Sequence, residues 1–158
     1  MKWFLEYCSL LALIILFTYS CGGNKLSEED KRSMELLLEE NEKIHSFLMK
    51  TESGLPSLQG ISKALDAFDK TENSEISSHV SKMKLNLREI KGSDKEKDFN
   101  QFSLFSENLS KLTKLFSVDG VNKFYCPMEN KYWLAKGRNI QNPYSPEMRD
   151  CGSLVEHN

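Results

Sequence analysis

Four sulfur-bearing side chains near the C-terminus are the residues whose types and spacing are best suited to chemistry. Cys126 and Met128 are two positions apart, and Met148 and Cys151 are three positions apart. Cysteine thiolates and methionine thioethers are soft ligands, which favour monovalent copper or silver over hard cations. If the two pairs converge in the fold, these four residues predict a metal site for a copper or silver ion.

The same two cysteines support a second interpretation. Cys126 and Cys151 could form a disulfide that pins the C-terminal segment to the rest of the domain. Closing a loop of this size is worth roughly 3 to 4 kcal/mol in the chain-entropy model. Met128, Tyr132, Trp133 and Tyr144 would then be packing residues that cover the end of the helical bundle. Because a disulfide removes both thiolates from metal binding, the two interpretations compete, and the sequence leaves both open.

The N-terminus indicates the compartment in which these cysteines lie. Lys2 precedes the apolar run LLALIILF at residues 10–17, which is too short to span a bilayer but has the length of a signal-peptide core. Ser20, Cys21 and two glycines follow, and this pattern resembles a bacterial lipobox. We therefore expect residues 1–20 to be a lipoprotein signal peptide, Cys21 to be the acylated mature N-terminus, and residues 21–26 to be a tether.

Export restricts what the four cysteines of the chain can do. Cys8 would leave with the signal peptide and Cys21 would be acylated, so Cys126 and Cys151 would remain as thiols in an oxidising compartment. A multiply acylated cysteine anchors a protein stably. The expected location is therefore the cell envelope of a bacterium, at the outer membrane or its periplasmic face. The net charge of -2 without a sustained basic run argues against a nucleic-acid partner.

Four segments between residues 27 and 118 show the periodicity of amphipathic helices. Their apolar stripes are Met34, Leu37, Ile44 and Leu48; Leu58, Ile61, Leu65 and Phe68; Ile76, Val80, Met83, Leu87 and Ile90; and Phe99, Phe102, Phe105, Leu109, Leu112 and Phe116. Asn41 is a polar residue on the first stripe. Ser27 with Asp30, and Ser93 with Glu96, have the spacing of helix N-cap pairs.

These stripes predict an all-α fold. Because each helix has one apolar face and the links are short, an antiparallel four-helix bundle over residues 27–118 buries all four stripes. Residues 119–158 would pack on it as an irregular C-terminal cap. On the third helix, His79 lies one turn from Met83, so the two side chains are candidate accessory metal ligands.

The C-terminal segment also carries a resemblance to a known family. The matching positions are Cys126, Pro127, Met128, Trp133, Leu134, Asn142, Pro143, Tyr144, Met148, Cys151 and Gly152. In this order they resemble the signature of a bacterial helical domain of unknown function, which occurs alone in exported proteins and appended to periplasmic adaptors of copper and silver efflux systems. The resemblance implies metal handling, with a metal-efflux component or another envelope protein as partner.

The expected function is an exported lipoprotein that binds or handles a copper-like or silver-like ion and is linked to heavy-metal efflux. The alternative is a non-catalytic structural or interaction lipoprotein with a disulfide-pinned C-terminal segment. An enzyme is not expected, because the sequence shows no paired catalytic carboxylates, no glycine-rich phosphate loop and no nucleophile with an evident base.

Overall fold

The computed structural model describes residues 26–51 and 54–156. The predicted signal peptide and Cys21 lie outside these residues. In the described part of the chain, four α-helices are followed by a three-stranded antiparallel sheet. The protein is therefore a mixed α and β protein, and the all-α prediction is wrong. None of the helices in this part combines the length and the apolar character that crossing a membrane requires.

The helices begin and end close to the predicted positions. They are α1 (Glu28–Lys50), α2 (Gln59–Asp66), α3 (Ser74–Glu89) and α4 (Lys95–Leu115). The predicted capping box of Ser27 and Asp30 opens α1. The cap of α4 is one residue later than predicted, because Asp94 rather than Ser93 accepts the backbone N–H of Lys97. Residues of α1 contact α2, α2 contacts α3, and α3 contacts α4.

The predicted apolar stripes form one core. Phe105, Leu109 and Leu112 of α4 are fully buried, and Phe102 is 2% exposed. Ile76 and Met83 of α3 are also fully buried, as is Leu37 of α1. The helical part of the core is therefore confirmed for most of the predicted stripes, whereas Leu58, Ile90 and Phe116 are only partly buried.

The sheet follows α4 directly. Its strands are β1 (Val121–Cys126), β2 (Lys131–Lys136) and β3 (Ser153–Glu156), in the order β2-β1-β3. Strands β1 and β2 form a hairpin in which Phe124 is opposite Trp133. Asn130 ends the turn with a φ of 52°, a left-handed conformation that asparagine tolerates well. A short 3-10 helix (Pro146–Met148) lies between β2 and β3.

Strand β2 lies between α1 and α4. The hydroxyl of Ser103 in α4 accepts a hydrogen bond of 2.8 Å from the backbone N–H of Tyr132. The side-chain amide of Asn41 in α1 donates to the carbonyl of Leu134 at 3.1 Å. Helix side chains therefore satisfy two backbone groups along the outer edge of β2. The C-terminal segment consequently contains a regular sheet that packs on the helices as part of the domain, and the predicted irregular cap is wrong.

Candidate functional site

The two C-terminal cysteines form a disulfide. Cys126 ends β1 and Cys151 precedes β3, with their Cα atoms 5.5 Å apart. This confirms the disulfide interpretation of the sequence. Cys126 is fully buried, whereas Cys151 is partly exposed. In this state neither sulfur is a thiolate, so the pair does not fit a soft metal ion.

The two methionines of the predicted metal site lie in different surroundings. Met128, in the β1–β2 turn, is 75% exposed, so the prediction that it packs on the end of the bundle is wrong. Met148 ends the 3-10 helix, is partly buried, and accepts the backbone N–H of Cys151 at 3.0 Å through its carbonyl. Within residues 26–51 and 54–156, no cluster of three or more histidine, cysteine or acidic side chains could hold a metal ion.

The predicted accessory ligands His79 and Met83 lie on α3, which packs on α2 and α4. Met83 is fully buried in the core. The Nδ1 atom of His79 is buried and has no hydrogen-bond partner among the described residues. Of the sulfur residues of the C-terminal segment, Cys126 lies in β1, and the other three lie in the connections between the strands. The structure thus places the two sets of predicted ligands on different elements.

The Asn-Pro-Tyr sequence forms a buried corner centred on Asn142, which is 0% exposed. Its side chain accepts the N–H of Tyr144 at 3.0 Å and donates to the carbonyl of Met148 at 3.2 Å. Its backbone N–H donates to the carbonyl of Arg149 at 2.8 Å. Asn142 therefore joins the two ends of the loop at residues 142–149, and its role in this structure is structural.

Tyr144 connects this corner to β2 and α4. Its hydroxyl donates a hydrogen bond of 2.7 Å to the carbonyl of Tyr132. Its ring lies edge-on to Phe99 and Trp133, with centroid distances of 5.2 Å and 6.4 Å. Burial raises the pKa of the phenol far above its ordinary value, because the ionised form would lose its hydration. Tyr144 is therefore a neutral packing residue and hydrogen-bond donor.

Two bonds join the corner to the C-terminal half of α1. The guanidinium of Arg149 donates to the carbonyls of Leu48 and Asn142, both at 2.8 Å. The Nε2 atom of His45 lies 2.9 Å from the carbonyl of Gln141. Since a carbonyl only accepts, this nitrogen carries the proton. The bond to Leu48 satisfies a carbonyl in the last turn of α1 that would otherwise lack an intrahelical partner.

Gly152 is required by a close approach. A Cβ atom at this position would lie 2.6 Å from the ring of Trp133. Gly152 also has a φ of 146°, which side chains rarely adopt. The Cys-Gly pair therefore brings the chain directly over the indole before β3 begins.

A buried lysine supports the hairpin beside the disulfide. Lys131, opposite Cys126 in the β1–β2 register, is 1% exposed. Its ammonium donates to the carboxylate of Glu96 in α4 at 2.6 Å and to the backbone carbonyl of Glu129 at 3.1 Å. Beside these residues is a cavity of about 380 Å³, whose lining includes Phe99, Tyr144 and Glu147.

Sequence reasoning missed Arg149 and Lys131. Each is a single basic residue in a polar stretch, and no local pattern distinguishes it from a solvated side chain. The hairpin carried a signal that was available, since a proline-to-asparagine turn at residues 127–130 is flanked by aromatic residues.

Comparison of the chain with known protein families, with curated proteins and with solved structures finds no match in any of the three.

Proposed function

We propose that the protein is an exported, lipid-anchored and non-catalytic interaction module of the bacterial cell envelope, which docks a partner protein through the tip of its hairpin. The observation that carries this proposal is the 75% exposure of Met128 at that tip. A methionine is flexible and polarizable, and such side chains adapt well to a partner surface.

The other uncommon side chains of the segment support the tip from within. Trp133 and Tyr144 are 1% and 4% exposed, and Asn142 is fully buried. The disulfide joins the strand that leads into the turn to the chain before β3. A tip held in this way loses little conformational entropy on binding. The architecture therefore favours recognition by a pre-formed surface.

The chemistry of the tip suggests the kind of partner. We define the tip surface as Met128, Glu129 and Glu147, the last two of which line the same cavity as Phe99. Met128 is next to Glu129 in the chain, and an exposed thioether combined with carboxylates complements a segment that carries an apolar residue and basic residues. The proposed partner is therefore an envelope protein with a basic and apolar docking segment.

The location of the tip agrees with a tethered module. Helix α1 begins at Glu28, close after the predicted lipid anchor at Cys21, and its 23 residues extend about 34 Å at 1.5 Å per residue. Arg149 binds Leu48 near the far end of α1. Residues 54–56, which follow α1, line one cavity with Gly92 and Lys95 at the start of α4. Glu96 of the same turn binds Lys131, so the hairpin tip lies near the C-terminal end of α1 and away from Glu28, where that helix begins.

Site-specific crosslinking in intact cells tests this proposal. A photoreactive amino acid at position 128 should give a discrete adduct with one envelope protein. The matched control is position 36, where the wild-type leucine is 52% exposed on α1. The variant Glu147→Lys, at an exposed position, should weaken the adduct, whereas Glu35→Lys, also at an exposed position, should not. If positions 128 and 36 give the same adducts, or position 128 gives none, docking through the tip is wrong.

A second candidate function is the handling of a copper or silver ion by the reduced protein, linked to metal efflux. The observation that favours it is the 5.5 Å separation of the Cα atoms of Cys126 and Cys151, which would leave two soft thiols adjacent after reduction. Met128, two residues after Cys126, and Met148, three residues before Cys151, would then be the available thioethers.

Anaerobic titration with monovalent copper tests the second candidate. The reduced protein should bind the ion in competition with a chromophoric chelator, while the oxidised protein should not. The control is the variant in which Cys126, Met128, Met148 and Cys151 are all replaced, because it lacks the four proposed sulfur ligands. Equal binding by the reduced wild type and this variant would exclude the metal function.

A further inference from the structure

The two halves of the disulfide differ in their access to solvent. Cys126 is fully buried at the end of β1, and Cys151 is partly exposed. Thiol–disulfide exchange begins when a thiolate attacks one of the two sulfur atoms, so its rate depends on access to that sulfur. Of the two cysteines, Cys151 is therefore the one that an incoming thiolate can approach from solvent.

The chain around Cys151 is held by bonds that do not involve sulfur. Before it, Arg149 binds the carbonyl of Leu48 at 2.8 Å, and the N–H of Cys151 donates to the carbonyl of Met148 at 3.0 Å. After it, Ser153 pairs with Tyr125 in the sheet. Breaking the sulfur–sulfur bond leaves all of these bonds in place. The chain at Cys151 is thus anchored on both sides.

We infer that Cys126 and Cys151 are a reversible redox pair, which a small dithiol opens at Cys151 without unfolding the domain, and whose two thiols the fold keeps side by side. This redox activity goes beyond the docking function and does not depend on it. It would also supply the paired thiols that the metal-handling candidate requires.

The proposed reaction is a thiol–disulfide exchange in two steps. One thiolate of the dithiol attacks the sulfur of Cys151, the bond between Cys126 and Cys151 breaks, and its electron pair leaves on Cys126, which takes up a proton. This step leaves a mixed disulfide between the reductant and Cys151. The second thiol of the reductant then attacks the reductant's own sulfur in that mixed disulfide. Cys151 departs as a thiol, the reductant becomes a cyclic disulfide, and two electrons have passed to the protein.

The first test identifies the attacked sulfur. The intact protein is incubated with glutathione, a monothiol that leaves a mixed disulfide, and free thiols are then alkylated. Peptide mass spectrometry should find the glutathione on Cys151 and the alkyl group on Cys126. The reverse distribution, or an equal mixture, would overturn the assignment of Cys151 as the attacked residue.

The second test asks whether reduction requires unfolding. Reduction by dithiothreitol is followed with and without 1 M urea, a concentration chosen below the unfolding transition. Reduction through the unfolded chain should accelerate about fivefold or more per molar urea, whereas reduction of the native protein should change less than about twofold. The near-UV circular dichroism should persist after reduction, since the surroundings of Trp133 are retained.

The variant Arg149→Met tests whether the hydrogen bonds around Cys151 hold the reduced protein in its native structure. Arg149→Met removes the bond to Leu48, so its reduced form should lose more near-UV signal than the reduced wild type. Arg138→Met, at an exposed position, is the matched control and should behave as wild type. Strong acceleration of wild-type reduction by urea, or loss of its near-UV signal on reduction, would contradict the inference.

Discussion

The guanidinium of Arg149 donates a hydrogen bond of 2.8 Å to the backbone carbonyl of Leu48, although 101 positions separate the two residues. This bond joins the C-terminal segment to the last turns of the first helix. It allows the helices and the sheet to stabilise each other at the end of the domain where the hairpin tip lies.

Replacing Arg149 should weaken the whole domain. The Arg149→Met variant loses the bonds to Leu48 and Asn142 and leaves their partly buried carbonyls unpaired, which should lower the free energy of unfolding by about 2 kcal/mol. Urea denaturation followed by far-UV circular dichroism measures this. Arg138→Met is the control at an exposed position and should change the free energy by less than about 0.5 kcal/mol. Similar values for the two variants would contradict the assigned role.

Asn41 gives a prediction opposite to the one expected from helix periodicity. Asn41→Leu completes the apolar stripe of α1, yet it removes the donor to Leu134 and leaves a buried carbonyl without a partner. We expect a loss of about 1 to 3 kcal/mol in the free energy of unfolding. Asn100→Leu, the same change at an exposed position of α4, should be neutral or slightly stabilising. A stabilised Asn41→Leu protein would show that the bond to Leu134 is unimportant.

The packed face of α4 can be tested by comparing neighbouring residues. Phe105 is fully buried, whereas Leu104 is 44% exposed. Phe105→Ala should cost about 3 to 5 kcal/mol, because it leaves a cavity in the core, and Leu104→Ala should cost less than about 1 kcal/mol. Thermal unfolding of both variants measures the difference. Equal unfolding temperatures would place the core elsewhere.

Tyr144 should make the stability of the protein depend on alkaline pH. Burial raises the pKa of this phenol above its ordinary value of 10.0, so above about pH 10 the unfolded chain loses a proton that the folded chain retains. The free energy of unfolding should therefore fall by about 1.4 kcal/mol per pH unit from this group alone. Below pH 10 this contribution to stability is fully present.

The variant Tyr144→Phe isolates that dependence. It should be less stable than wild type at neutral pH, because it loses the bond to Tyr132, but the difference should shrink as the pH rises above 10. Urea denaturation between pH 7 and pH 11 measures both effects. A difference that stays constant across this range would show that the phenol of Tyr144 is not protected from ionisation.

The predicted lipid anchor at Cys21 can be tested by processing. The wild-type protein should be cleaved before Cys21 and recovered in the membrane fraction with an acylated N-terminus. Cys21→Ala should abolish acylation and release the protein from the membrane fraction or leave it unprocessed. Mass spectrometry of the mature N-terminus gives the result, and a processed, membrane-bound Cys21→Ala protein would contradict the prediction.

The sequence by itself determined the helices and much of their packing. Periodicity over 8 to 23 residues is a strong local signal, and Ser27 with Asp30 marked the beginning of α1 correctly. The residues that face the core followed from the same period, as the complete burial of Phe105 and Leu109 shows. The proximity of Cys126 and Cys151 was also foreseen, because export and the count of remaining cysteines favour a pair.

Only the tertiary structure decided the sheet and the state of the sulfur site. Strand β2 has buried residues on both faces, since Trp133 and Leu134 are each 1% exposed, so it lacks the alternation that predicts a strand. Its edge bonds come from Asn41 and Ser103, far away along the chain. Whether four sulfur atoms surround a metal ion, or two of them form a disulfide while Met128 is exposed, depends on where the strands and their connections place the four side chains. Local sequence does not encode that placement, because long-range packing of the segment between α1 and α4 sets it.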